Sequence, residues 1–168
     1  FDVKNRVLTL PIWKHMSNDI IDLLVAHEIG HALYTHLDEW KSALDEGLPH
    51  SFLNVIEDAR IEKLVKRRYP GLVKSFVNGY RELIDNNFFG TKDKDVNEML
   101  LIDRLNMHFK TSIVKSDIEF TTAEMLVVKK MENLETFNDV VVLARELAEY
   151  CKDESEMKGL DQHSLEDL

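Results

Sequence analysis

Apolar side chains recur every three or four residues along most of this chain, which is the spacing of one buried face of a helix. The first predicted helix follows Ser17, a favoured capping residue, and extends to about Leu44, ahead of Gly47 and Pro49. Further helices are predicted near residues 51–68, 76–84, 98–109, 121–134 and 136–151. The pattern therefore predicts a mainly α fold.

Capping patterns mark the ends of several of these helices. The second helix is expected to stop at Tyr69-Pro70-Gly71, because proline cannot continue a helix. Three later helices open with a capping residue three positions before an acidic residue, in Asp95-x-x-Glu98, Thr121-x-x-Glu124 and Thr136-x-x-Asp139. Residues 152–168 are polar and acidic, which predicts a loose tail or linker after a domain of residues 1–151.

A different pattern precedes the first helix. Residues 5–13 include the run Val7-Leu-Thr-Leu10, which favours a short strand, and Pro11 would stop that strand or confine it to a sheet edge. An edge strand has free backbone groups that could pair with an extended peptide. The sequence thus predicts a small N-terminal β element, giving an α+β variant of the helical fold.

The first helix carries the strongest chemical signal, His27-Glu28-Ile-Gly-His31. With about 3.6 residues per turn, His27 and His31 lie one above the other on one face and could share a metal ion. Glu28 is about 100° further round the helix, where it could reach a water on that metal. This arrangement indicates a metal-activated hydrolase. Gly30 lies between the histidines and suits a close approach of another part of the backbone.

A catalytic zinc ion usually has three protein ligands, so one ligand remains to be found. A metzincin would need glycine and histidine where this chain has Tyr34 and Leu37, so that class is excluded. A carboxylate from the next helix is the remaining source. Glu57 has largely apolar helical neighbours and is the preferred ligand, although an ion pair with Arg60 would also satisfy it. Asp58 is the second candidate, either as ligand or as an acceptor for an imidazole N–H.

An oxyanion formed during hydrolysis would need a hydrogen-bond donor. The sequence offers four candidates without choosing among them: Arg60, Tyr69, Tyr80 and His108.

Composition narrows the class of protein further. The 168 residues carry a net charge of −10, which disfavours nucleic acid as a partner. A single cysteine, Cys151, excludes an internal disulfide framework, and there is no apolar run near 18 residues and no signal-peptide pattern. We expect a cytoplasmic protein without a membrane segment.

The motif His27-Glu-Ile-Gly-His31 followed by a helical carboxylate resembles the gluzincin class of zinc metallopeptidases. The Glu-x-x-x-Asp of thermolysin-like members is not matched from Glu57, since Ile61 stands four residues later. Residues 5–110 also resemble peptidase-like proteins of tailed bacteriophages, which implies a phage protein in a host cytoplasm. Glu57-Asp-Ala-Arg-Ile-Glu62 and Arg67-Arg-Tyr-Pro-Gly71 resemble a cobaltochelatase subunit that ends in a von Willebrand factor A domain.

These resemblances imply a zincin-like domain that hydrolyses peptide or protein substrates. Zn²⁺ would be held by His27, His31 and Glu57, with Glu28 as the general base. Two alternatives belong to other classes. One is a non-catalytic assembly or chaperone module that keeps zinc for structure, and the other is a chelatase accessory module with a von Willebrand factor A-type domain or an ATPase as its partner.

Overall fold

The computed structural model describes residues 1–111 and 117–158, with side chains through Glu154. This part of the chain is mainly helical, as the sequence predicts. Its α-helices are α1 (Asn18–Tyr34), α2 (Leu37–Asp45), α3 (His50–Arg68), α4 (Leu72–Asp85), α5 (Leu101–Thr111), α6 (Thr122–Glu132) and α7 (Phe137–Lys158), and a 3₁₀ turn spans Val96–Glu98. None of the helices in this part is long and apolar enough to cross a membrane.

Helix α3 is the central element, because it packs against α1, α5, α6 and α7. Its apolar side chains are divided between two clusters. Leu53 and Ile56 lie in the larger cluster with residues of α5, α6 and α7, whereas Val65 lies in a smaller one with residues of α1 and α4. Residues 57–62 of α3 lie between these two sets, and polar side chains there are buried between helices.

Gly30 brings α1 close to α3. A Cβ at this position would lie 2.9 Å from both Ile61 Cδ1 and Val65 Cγ2, closer than side chains normally approach. The sequence predicts a close approach of another part of the backbone at Gly30, but side chains of α3 fill this space instead. Because Gly30 lies between His27 and His31, this packing also sets the distance of the two histidines from α3.

The prediction of a continuous first helix to Leu44 is wrong. Helix α1 ends at Tyr34, and α2 begins at Leu37 after an extended backbone at Thr35 and His36. The Thr35 hydroxyl contacts both His31 and Glu57, so the break places a side chain of this linker between α1 and α3. Apolar spacing continues through the break and therefore could not reveal it.

No regular strand is present among the described residues. The predicted strand at residues 5–13 is replaced by turns and irregular backbone, with one isolated antiparallel bridge between Asp2 and Val7. A strand needs a ladder partner, and in the described part of the chain only this bridge forms. The segment instead packs through Trp13, whose ring lies 5.5 Å from that of Phe88.

The capping signals are mostly confirmed. Ser17 Oγ accepts a hydrogen bond from the Ile20 N–H, and Thr121 forms a reciprocal capping box with Glu124. Asp95 caps the 3₁₀ turn rather than α5.

The expected helix end near Cys151 is wrong, because α7 continues to Lys158. Glu154 in this extension accepts a hydrogen bond from the backbone N–H of Leu101, at 2.9 Å, at the start of α5. Residues 152–158 are therefore helical, and residues 159–168 lie outside the described residues.

Candidate metal centre

The two histidines of the motif lie together on α1, as the helical period requires. Their ring centroids are 4.8 Å apart in an edge-to-face arrangement. Both side chains are mostly buried, with 18% of His27 and 22% of His31 exposed. Both rings lie on the side of α1 that faces α3.

Asp58 on α3 completes a group of three possible metal ligands. Its Oδ1 atom lies 3.0 Å from His31 Nε2 and 3.5 Å from His27 Nε2. One ligand atom from each of His27, His31 and Asp58 lies within 4.8 Å of the others, a grouping that could hold a metal ion. We call these three residues the imidazole–carboxylate cluster.

Glu57, the ligand preferred from the sequence, is placed elsewhere. It is fully buried and its two carboxylate oxygens bind Arg60, with Nη2 to Oε1 at 2.6 Å and Nε to Oε2 at 2.8 Å. Its Oε1 also accepts the Thr35 hydroxyl at 2.6 Å. Of the two candidates, Asp58 contacts both imidazoles, whereas Glu57 forms the ion pair that was its alternative.

Each histidine is also held through its other ring nitrogen. Glu62 Oε1 lies 2.8 Å from His27 Nδ1 and accepts a further hydrogen bond from the Tyr80 hydroxyl. Thr35 Oγ1 lies 3.0 Å from His31 Nδ1. Because the Thr35 hydroxyl donates its proton to Glu57, its oxygen is left to accept from His31. Both Nδ1 atoms therefore face acceptors.

Glu62 was not recognised as a functional candidate from the sequence, although a signal for it exists. It stands four residues after Asp58, so the two carboxylates share one face of α3. This is the spacing of the Glu-x-x-x-Asp pattern with the two acids exchanged. The pattern is met from Asp58 and not from Glu57, which the sequence favours as the ligand.

The electrostatic environment keeps Asp58 ionised. Burial alone would raise the pKa of Asp58, but its hydrogen bond with His31 and the charge of Lys110 outweigh that effect and lower it to about 2. Burial alone would lower the pKa of His27, yet its hydrogen bond to Glu62 and the charge of Asp58 raise it above the usual value. Burial and the Glu62 charge raise the pKa of Tyr80 well above normal, so Tyr80 remains a proton donor.

A cleft of about 330 Å³ opens beside the cluster. Its lining residues are Phe1, Val3, His27, Glu28, His31, Ala32, Thr35, Leu37, Trp40 and Asn54. Glu28 is the one carboxylate in this set, and its side chain is about one-third exposed. Its Oε2 lies 2.9 Å from the amino group of Phe1. The general base expected from the sequence thus lines the same cleft as the two histidines.

None of the four candidate oxyanion donors is among the residues that line this cleft. Arg60 is bound to Glu57, Tyr80 to Glu62, and His108 packs against Phe109 and Phe120. Tyr69 is 45% exposed at the end of α3.

No protein-family model matches this chain, and no curated protein or solved structure is significantly similar to it. The case for a metal centre therefore depends on the arrangement of side chains in this molecule.

Proposed function

We propose that this protein is a zinc-dependent peptidase whose metal is held by His27, His31 and Asp58, with Glu28 as the general base. The observation that carries the proposal is the convergence of two imidazole Nε2 atoms on Asp58 Oδ1 beside a cleft that Glu28 lines. Zinc favours nitrogen and carboxylate ligands in this combination.

The hydrogen bonds around the histidines support a cation at this point. In a neutral imidazole whose Nδ1 donates, the Nε2 atom carries a lone pair. Both lone pairs would then be directed at an ionised carboxylate, which is unfavourable in a buried setting unless a cation lies between them. A proton on a ring can supply that charge, as the raised pKa of His27 indicates. A divalent metal would supply it to all three ligands at once.

The surrounding residues suit such a role. Glu62 and Thr35 fix the orientation and tautomer of His27 and His31, and partners of this kind typically change metal affinity 10–100-fold when removed. Glu57 and Arg60 hold Thr35 in turn, since the Thr35 hydroxyl donates to Glu57.

Bound zinc would lower the pKa of a coordinated water towards 7 and polarise the scissile carbonyl. Glu28 would accept a proton from the attacking water and pass it to the leaving nitrogen. The apolar side chains of Leu37 and Trp40 give the cleft a surface on which a peptide side chain could pack.

A second candidate function is a non-catalytic zinc site in an assembly, chaperone or chelatase accessory module. The burial of His27, His31 and Asp58 between α1 and α3 favours it, because a metal there would hold the two helices together. In that case chelation would reduce stability while peptide cleavage would be absent from the start.

The Glu28→Gln variant distinguishes these functions. The amide keeps the shape of the side chain but cannot accept the proton, so we expect about one zinc per chain and peptide cleavage reduced at least about 10²-fold. Zinc is measured by elemental analysis, and cleavage by mass spectrometry of a peptide library at matched zinc occupancy.

The exposed Glu149 provides a matched Glu→Gln control that should leave cleavage unchanged. Equal cleavage by wild type and Glu28→Gln would refute Glu28 as the base. Zinc below about a tenth of an equivalent after reconstitution of folded protein would refute the metal centre.

A further inference from the structure

Lys110, near the end of α5, reaches the imidazole–carboxylate cluster from a third helix. Its Nζ atom lies 3.2 Å from Asp58 Oδ2, and only 17% of its side chain is exposed. Lys110 is not among the residues that line the cleft. Nothing in the sequence around Lys110 indicates this role, because α5 is separated from α1 by more than 60 residues.

The two oxygens of Asp58 therefore have different partners. Oδ1 is directed at the imidazoles, 3.0 Å from His31 Nε2, while Oδ2 binds the Lys110 ammonium. A carboxylate can bind a metal through one oxygen or through both. Because Oδ2 binds the mostly buried Lys110 side chain, it is held away from a metal that Oδ1 and the imidazoles would bind.

We infer that Lys110 is a positioning residue that keeps Asp58 as a ligand through one oxygen only. This inference rests on the proposed metal centre. Two imidazoles and one carboxylate oxygen leave the fourth tetrahedral position open for water, as a catalytic zinc site requires. Binding through both oxygens would compete for that position.

Zinc affinity alone does not test this role. Loss of the ammonium would remove a repulsive positive charge near the metal, which raises affinity, and would also release Asp58 from its fixed orientation, which lowers it. Coordination number changes in one direction only, since a freed Oδ2 can add a bond but not remove one. The coordination of the metal is therefore the informative readout.

Cobalt(II) in place of zinc reports coordination through its visible absorption, which is strong for four ligands and weaker for five or six. We expect a strong band for the wild type and, for Lys110→Met, a decrease of at least about twofold in molar absorbance as a fifth ligand enters. Lys110→Arg keeps a cation at this position and should retain most of the wild-type intensity.

Lys130→Met is the matched control, because Lys130 pairs with Glu146 at an exposed site. Circular dichroism and thermal unfolding establish that each variant is folded. If Lys110→Met does not fold, Lys110→Gln takes its place; its shorter, uncharged side chain is expected to give the same loss of intensity.

The outcomes separate this inference from the proposed function. Identical cobalt spectra for the wild type and the folded Lys110 variants would overturn the role of Lys110 and leave the metal centre intact. Failure of the wild type to bind either cobalt or zinc would overturn the metal centre itself, and the role of Lys110 with it.

Discussion

The imidazole–carboxylate cluster differs from a second buried group of charged side chains, the arginine–carboxylate cluster of Arg104, Glu124 and Glu154. Arg104 donates from Nη1 and Nη2 to the two oxygens of Glu124, at 2.9 and 2.7 Å, and from Nη2 to Glu154 at 3.3 Å. Its remaining hydrogens reach the carbonyl oxygens of Met99 and Glu119. Every donor of the guanidinium thus faces an acceptor.

In the imidazole–carboxylate cluster, by contrast, one aspartate oxygen faces two ring nitrogens that donate or accept according to their protonation. The Nε2 atoms of His27 and His31 and the Oδ1 atom of Asp58 converge, while both Nδ1 atoms are held by other acceptors. Burial and charge are common to the two clusters and therefore do not distinguish them. The guanidinium of Arg104 supplies the positive charge of its own cluster, whereas the positive charge between His27, His31 and Asp58 would come from a ring proton or from the proposed metal ion.

The largest expected effect is on stability, at the arginine–carboxylate cluster. Arg104→Met leaves Glu124 buried without its ionic partner, and loss of one member of a buried pair costs about 3–5 kcal/mol. Denaturant unfolding measures this loss. Zinc content should stay at the wild-type level in the folded fraction.

Arg145→Met, which breaks the exposed pair with Glu46, is the control and should cost less than about 1 kcal/mol. An equally small loss for Arg104→Met would contradict the expected difference between the buried and the exposed ion pair.

The next effect is on metal binding, at the imidazole–carboxylate cluster. Structural zinc sites contribute about 10–16 kcal/mol, so one of four ligands is worth about 2.5–4 kcal/mol, or about 10²–10³-fold in affinity. Asp58→Asn should lose that amount in a competition titration with a chelator.

Its neighbour Glu57 supplies the comparison. Glu57→Gln should reduce zinc affinity less than about tenfold, because Glu57 acts through Thr35 rather than on the metal, while lowering stability through Arg60. The reverse ranking of the two variants would restore Glu57 as the ligand.

The smallest expected effect is on the pH dependence of stability, beside the arginine–carboxylate cluster. Asp103 lies next to Arg104, and burial together with the nearby charge of Glu154 raises its pKa to about 6. Because the folded state binds this proton more tightly than the unfolded state, Asp103 stabilises the fold below about pH 4 relative to higher pH. That contribution is lost as the pH rises from about 4 to 6.

The Asp103→Asn variant cannot ionise and should avoid this loss. We expect it to be about 1–2 kcal/mol more stable than wild type at pH 7.5, with a difference near zero at about pH 4. Parallel denaturant titrations at the two pH values measure the change. A stabilisation that is the same at both would show that ionisation of Asp103 is not its cause.

The sequence by itself was sufficient for features set within one helix. The positions of His27, Glu28 and His31 relative to one another follow from the period of α1, and Ser17 and Thr121 cap helices through contacts that span a single turn. The mainly helical class follows from the same periodicity. The predicted N-terminal strand was wrong because a strand depends on a partner elsewhere in the chain.

Tertiary structure decided which carboxylate meets the imidazoles. Glu57 and Asp58 are adjacent, so their directions around α3 differ by about 100°. The residues near them along α3 do not indicate which of the two faces α1. The rotation of α3 against α1 is set by packing at Gly30, where Ile61 and Val65 fill the space beside α1. Contacts between helices, unlike the period within one, depend on side chains far apart in the sequence.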